Sequence, residues 1–80
     1  MLIATAAVNG SICLWQFENG QPDGACIGHN KEINAMVFLS PYPILISADS
    51  KGNLCMWLTK PRFHNKKLAI KWKNRLNQVL

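Results

Sequence analysis

Apolar residues in this chain come in short runs and not at helical spacing. Leu2 to Val8 is almost wholly apolar and stops at Asn9-Gly10, and a second run then leads to Trp15. Later runs are Ile33 to Phe38, Ile44 to Ala48 and Leu54 to Leu58. They are rich in Ile, Leu, Val and Thr and show no polar face, as expected for strands covered on both sides. Pro41 and Pro43, so close together, break any helix and mark a turn. The pattern predicts an all-β chain, with strands near 2–8, 11–17, 24–28, 33–38, 44–48 and 53–58. A seventh is expected at 68–72, where Leu68, Ile70 and Trp72 alternate with Ala69 and Lys71. Asn9-Gly10 reads as a two-residue hairpin turn of type I′, with positive φ at both central residues. Lys51-Gly52 is a weaker signal, since Lys tolerates positive φ poorly.

The runs repeat. Leu2 to Trp15 aligns without a gap on Ile44 to Trp57 at an offset of 42 residues. Thr5 falls on Ser47, Ala6 on Ala48, Gly10 on Gly52, Ile12 on Leu54, Cys13 on Cys55, Leu14 on Met56 and Trp15 on Trp57. A period of this size is that of a stacked-repeat architecture.

Gly28-His29, Ile33, Phe38, Pro41, Leu45, Ser47, Gly52, Leu54 and Trp57 resemble a WD repeat in order and spacing. The resemblance covers residues 28–58, and 2–15 carry half of the same pattern. It implies two adjacent blades of a WD-repeat β-propeller, joined internally by a hydrogen-bonded lock. The lock residues carried over are His29, Ser47 and Trp57, with Thr5 and Trp15 in the earlier copy. Two departures stand out. The Asp position of the lock is Lys51, which leaves that link missing unless Asp49 substitutes, and no Asp follows either Trp. His29 is accordingly read as a structural histidine and not as a catalytic base. A narrower likeness, carried by Trp57-Leu-Thr-Lys-Pro61 and the basic residues after it, is to later blades of large WD-repeat proteins of cilia and flagella.

Charge changes the picture at one end only. The net charge is +5, yet residues 1–59 hold two basic residues (Lys31, Lys51) against four acidic ones (Glu18, Asp23, Glu32, Asp49). Lys60, Arg62, Lys66, Lys67, Lys71, Lys73 and Arg75 all lie in 60–80, which has no acid. This basic tail is read first as a solvated loop with an outer strand. It is read second as a contact for an acidic protein surface such as a microtubule-like filament. The third reading is a nucleic-acid- or calmodulin-binding segment, since Leu68, Trp72, Leu76 and Val79 also fit one helical face.

Three cysteines, an odd number, argue against a self-contained disulfide framework and favour a reducing, cytoplasmic setting. Cys26 and His29 have ligand-like spacing, but no second pair completes a zinc site. No nucleophile–base–orienter grouping and no phosphate loop can be read, so neither an enzyme nor a cofactor is expected. Met1 to Val8 lacks the basic flank of a secretory signal, and no apolar run is long enough to span a membrane.

The expected organisation is a partial first blade over 1–27, a fuller blade over 28–59 and a basic tail over 60–80. Two blades cannot close a ring, so a fragment of a larger propeller is expected. The expected function is a non-enzymatic protein-interaction scaffold, more narrowly an axonemal component. Its partners would be other proteins, including further blades of the same or a neighbouring chain. The competing expectation is a small nucleic-acid-binding protein acting through residues 60–75.

Overall fold

In the computed structural model, which describes residues 1–60 and 65–72, seven strands form two antiparallel sheets, with no helix among the described residues. The first sheet holds β1 (Leu2–Ala6), β2 (Ile12–Gln16) and β3 (Pro22–Cys26), in that order. The second holds β4 (Ile33–Phe38), β5 (Ile44–Asp49), β6 (Leu54–Leu58) and β7 (Lys67–Trp72), again in chain order. Residues 67–72 thus continue the second sheet as its outer strand, and the helical alternative fails there.

Turn chemistry sets the strand ends and corrects two expectations. β1 stops at Ala6 because the hairpin loop has three residues, Val8, Asn9 and Gly10. Ala7 N–H donates to Ser11 O and Gly10 N–H to Ala7 O, both at 2.9 Å. Asn9 Oδ1 accepts from the Ser11 N–H and hydroxyl at 3.0 and 2.7 Å. In such a loop only the third residue must be left-handed, and Gly10 has φ 93°. A Cβ on Gly10 would lie 2.7 Å from Lys31 O, so the site also admits no side chain. The second hairpin repeats the loop, with Asp49 N–H to Asn53 O at 3.0 Å, Gly52 N–H to Asp49 O at 3.1 Å, and Gly52 at φ 83°. Lys51 therefore occupies a position that does not demand positive φ.

β3 begins two residues before its expected start, at Pro22. Proline is tolerated at the first residue of an edge strand, where no ladder N–H is needed. The β2–β3 register slips between Leu14 and Trp15, and the β6–β7 register slips at the equivalent place, between Met56 and Trp57. The sequence repeat is thus a structural repeat that includes its irregularities. Only β4 lacks a described counterpart in the first sheet.

One core joins the sheets. Ile12, Leu14 and Cys26 of the first and Leu45, Cys55 and Trp57 of the second are fully buried, with Leu2, Ala4, Ile33, Met36 and Phe38 packed around them. Each large apolar side chain so buried contributes about 1.5–3 kcal/mol relative to exposure. Gly28 lies against the ring of Trp57, where a Cβ would come within 2.7 Å of Cη2. Strand alternation then decides what remains outside. In the first sheet Ile3 and Thr5 pair with Trp15 and Cys13 on the face away from the core. In the second sheet Val37, Ile46, Met56 and Ile70 stand side by side on the outer face. Each sheet therefore has one covered face, not the two that its apolar runs suggested.

Candidate functional site

The most elaborate polar cluster is built by the second sheet around His29, which precedes β4. Its Nδ1 lies 2.8 Å from Asp49 Oδ2 and its Nε2 2.6 Å from Ser47 Oγ. Trp57 Nε1–H donates to the same Ser47 Oγ at 2.9 Å. Donors and acceptors balance with the imidazole proton on Nδ1, donated to Asp49, while the Ser47 hydroxyl donates to Nε2. His29, Ser47, Asp49 and Trp57 are all buried. No buried side-chain nitrogen or oxygen among the described residues lacks a partner.

Asp49 is held from several sides. Its Oδ1 accepts from the Lys51 and Asn53 backbone N–H groups at 2.9 and 3.0 Å, and its Oδ2 also accepts from Asn53 Nδ2 at 3.0 Å. Burial pushes its carboxyl up, but the hydrogen bonds from Asn53, His29 and Lys51 outweigh burial and bring it down to about 2. Asp49, and not the residue at position 51, supplies the acidic link, and Asn53 completes its cradle.

Ser47, His29 and Asp49 stand in the order of a nucleophile, a base and an orienting acid, a grouping that the sequence alone did not reveal. The chemistry such a grouping needs is blocked by packing. Ser47 is 1% exposed, and its oxygen is already engaged by His29 on one side and by the Trp57 N–H on the other. An attacking hydroxyl needs an open approach for the electrophile and donors for the charge that develops. Here the tryptophan N–H occupies the hydroxyl itself. Both nitrogens of His29 are likewise engaged, which leaves none for a metal beside Cys26. Burial pushes the Cys26 thiol up to about 12, away from the thiolate a metal requires.

The first sheet repeats only part of the cluster. Trp15 Nε1–H donates to Thr5 Oγ1 at 2.9 Å, on the exposed face. Ala7 stands where Asp49 stands in the later copy.

The basic tail does not behave as one group. Lys66 is buried, and its Nζ donates to Asp23 Oδ2 at 2.8 Å and to Thr59 O at 2.9 Å. Its backbone N–H donates to Ala25 O at 2.6 Å, beside a parallel bridge between Ala25 and Asn65. The segment entering β7 thus straps the second sheet to the free edge of β3. Lys66 is therefore corrected from a solvated, partner-facing cation to an internal one. Its ammonium is a counter-ion of Asp23, which also accepts from Gln16 at 3.3 Å. Lys71 donates to Gly28 O at 2.7 Å, while Lys60 and Lys67 are exposed. Arg62, Lys73 and Arg75 lie outside the described residues, as do Leu76 and Val79 of the helical alternative. No sequence signal marked Asp23 and Lys66 as partners, because 43 residues separate them and neither sits in a recognisable motif.

Among known proteins, no family model, no curated protein and no solved structure matches this chain. No helix among the described residues is long and apolar enough to cross a membrane.

Proposed function

We propose that this chain is a pair of adjacent blades from a WD-repeat β-propeller and works as a non-enzymatic protein-interaction scaffold. The observation that carries the reading is the buried relay Asp49–His29–Ser47–Trp57, set in a four-stranded antiparallel meander. The WD-repeat resemblance calls for His29, Ser47 and Trp57, and Asp49 takes the acidic role that the resemblance assigns to position 51. The partial copy in the first sheet, with Trp15 on Thr5, adds to it. A second support is negative in form. Among the described residues the one arrangement that looks catalytic is sealed, and its hydrogen bonds serve to fix strands to one another. Rigid sheets of this kind hold loops in place for partners, and that is the function proposed. The partners are other proteins, among them further sheets from the same or a neighbouring polypeptide. The cilium-like ending at Trp57 to Pro61 makes an axonemal assembly the narrower proposal.

The nucleic-acid alternative is the weaker of the two. Of the described tail lysines, Lys66 is buried as a counter-ion and Lys71 is turned to Gly28 O, so the row of free cations is interrupted. Two measurements test the choice. Cross-linking mass spectrometry on the tagged chain in its native cells should show links into further sheet-bearing polypeptide. Oligonucleotide binding should be absent at low salt. A chain recovered alone, or tight oligonucleotide binding that fades with added salt, overturns the scaffold reading.

A further inference from the structure

The two uncovered faces are the two halves of an interface that the chain already contains. Inside the molecule, one face of the first sheet (Leu2, Ala4, Ile12, Leu14) packs on the Leu45, Cys55, Trp57 face of the second. Adding 42 to the first set gives Ile44, Ile46, Leu54 and Met56. These line the outer face of the second sheet, beside Val37 at 53% and Ile70 at 41% exposure. Subtracting 42 from the second set, with Ser47, gives Ile3, Cys13, Trp15 and Thr5. These line the outer face of the first sheet, where Ile3 is 42% exposed although its counterpart Leu45 is fully buried. Neither set contains a charged residue. One end of the molecule thus presents a core-type face, and the other end presents the kind of face that buries it.

We propose that copies of this chain associate head to tail, with the Ile3–Thr5–Cys13–Trp15 face of one copy seated on the Ile46–Ala48–Leu54–Met56 face of the next. The occupant is a second copy because the internal contact supplies the template for both sides. The β1–β2 pairing, its hairpin loop and the slip before each tryptophan recur at the offset of 42, and the outer strand pairs in the same way, so two sheets of different copies can meet as the two sheets of one copy do. The contact is heterologous, and association by it does not stop at two unless a ring closes. The seated copy would cover the Trp15–Thr5 hydrogen bond as the first sheet covers Trp57 and Ser47. This proposal rests on the reading that further sheets cover these faces, and it names which sheets.

Sedimentation of the 80-residue chain over a concentration series is the first test. The weight-average mass should rise past that of two chains, and alkylation of the exposed Cys13 should slow as it rises. Ile3→Glu and Val37→Glu alter side chains that are already about half exposed, so the fold should survive both. Each variant alone should remain monomeric, and a mixture of the two should form a dimer through the one intact pair of faces. A monomeric wild-type chain overturns the proposal, as does self-association by either variant alone or a mixture that stays monomeric. If the native chain still cross-links to other sheet-bearing polypeptides, that result removes the second copy as occupant and leaves the scaffold reading standing.

Discussion

Trp15 donates to Thr5 and Trp57 donates to Ser47, each at 2.9 Å and each from the equivalent strand of its own sheet. The first bond is at the surface and ends there. The second continues through His29 to Asp49, and all four side chains are shut away from water. The difference comes from position in the stack more than from strand chemistry. The second sheet has the first sheet against its tryptophan face, and it has β4 and the loop before it to supply a histidine. The first sheet has no described counterpart of either. A motif of this kind is therefore a property of two neighbouring sheets, and one hairpin alone makes only its least consequential bond.

The largest expected effect comes from cutting the strap that ties the two sheets together. Lys66→Ala removes a buried ammonium bonded to Asp23 Oδ2 and Thr59 O, which should cost about 3 kcal/mol or more in urea denaturation. Lys67→Ala, at the exposed neighbouring position, should stay within about 0.5 kcal/mol. Equal losses at 66 and 67 would mean that the strap is not what unites the sheets.

Next in size is the relay itself. Ser47→Ala removes the acceptor for Trp57 and the donor for His29, leaving both buried groups unsatisfied. A loss of about 1–3 kcal/mol is expected for a group so stranded. The same denaturation curves should show an unchanged slope, since the surface exposed on unfolding stays the same.

How much of this could be read beforehand follows from what is local. The strands and the 42-residue repeat follow from spacing, because each hairpin fixes its own register, while the groupings His29–Ser47–Trp57 and Thr5–Trp15 are what the WD-repeat resemblance implies. Loop geometry was harder to read. Asn9-Gly10 suggested a two-residue turn, yet Asn9 caps Ser11 and the loop takes a third residue. The acid at 49 looked displaced from its place for the same reason. Least legible was Lys66, since net charge treats all tail lysines alike while a buried carboxylate 43 residues away takes one of them. Facing carried the last ambiguity. Apolar runs show that both sides of a sheet avoid water but not which neighbour covers which side.

Acid should separate the two copies further. The Asp49 carboxyl lies at about 2 in the folded chain, below its ordinary value near 3.8. A folded-state value that is depressed contributes stability in full above the unfolded value and loses it as pH falls through the folded one. The denaturation midpoint should therefore drop between about pH 4 and pH 2. Asp49→Asn should lower stability at neutral pH and flatten that drop. The first sheet has Ala7 at the equivalent position, so the relay's share of that drop belongs to the second sheet. A wild-type midpoint that does not move through this window would show that Asp49 is not held as its hydrogen bonds require.

The smallest effect should come from the bond that most resembles the relay on paper. Thr5→Val keeps the β-branched shape and removes only the oxygen that Trp15 N–H reaches. On an exposed face water replaces a lost partner, so the change in dilute solution should be about 0.5 kcal/mol or less. That value should not be constant if copies stack. Once a neighbour covers the face, the Trp15 N–H has no water to turn to, and Thr5→Val then acts as Ser47→Ala does in the second sheet. Its cost should accordingly grow with protein concentration, read as weaker self-association in sedimentation, while the melting of the dilute chain stays unchanged. Association that is indifferent to Thr5→Val would place Trp15 outside the contact and break the equivalence between the two tryptophan faces.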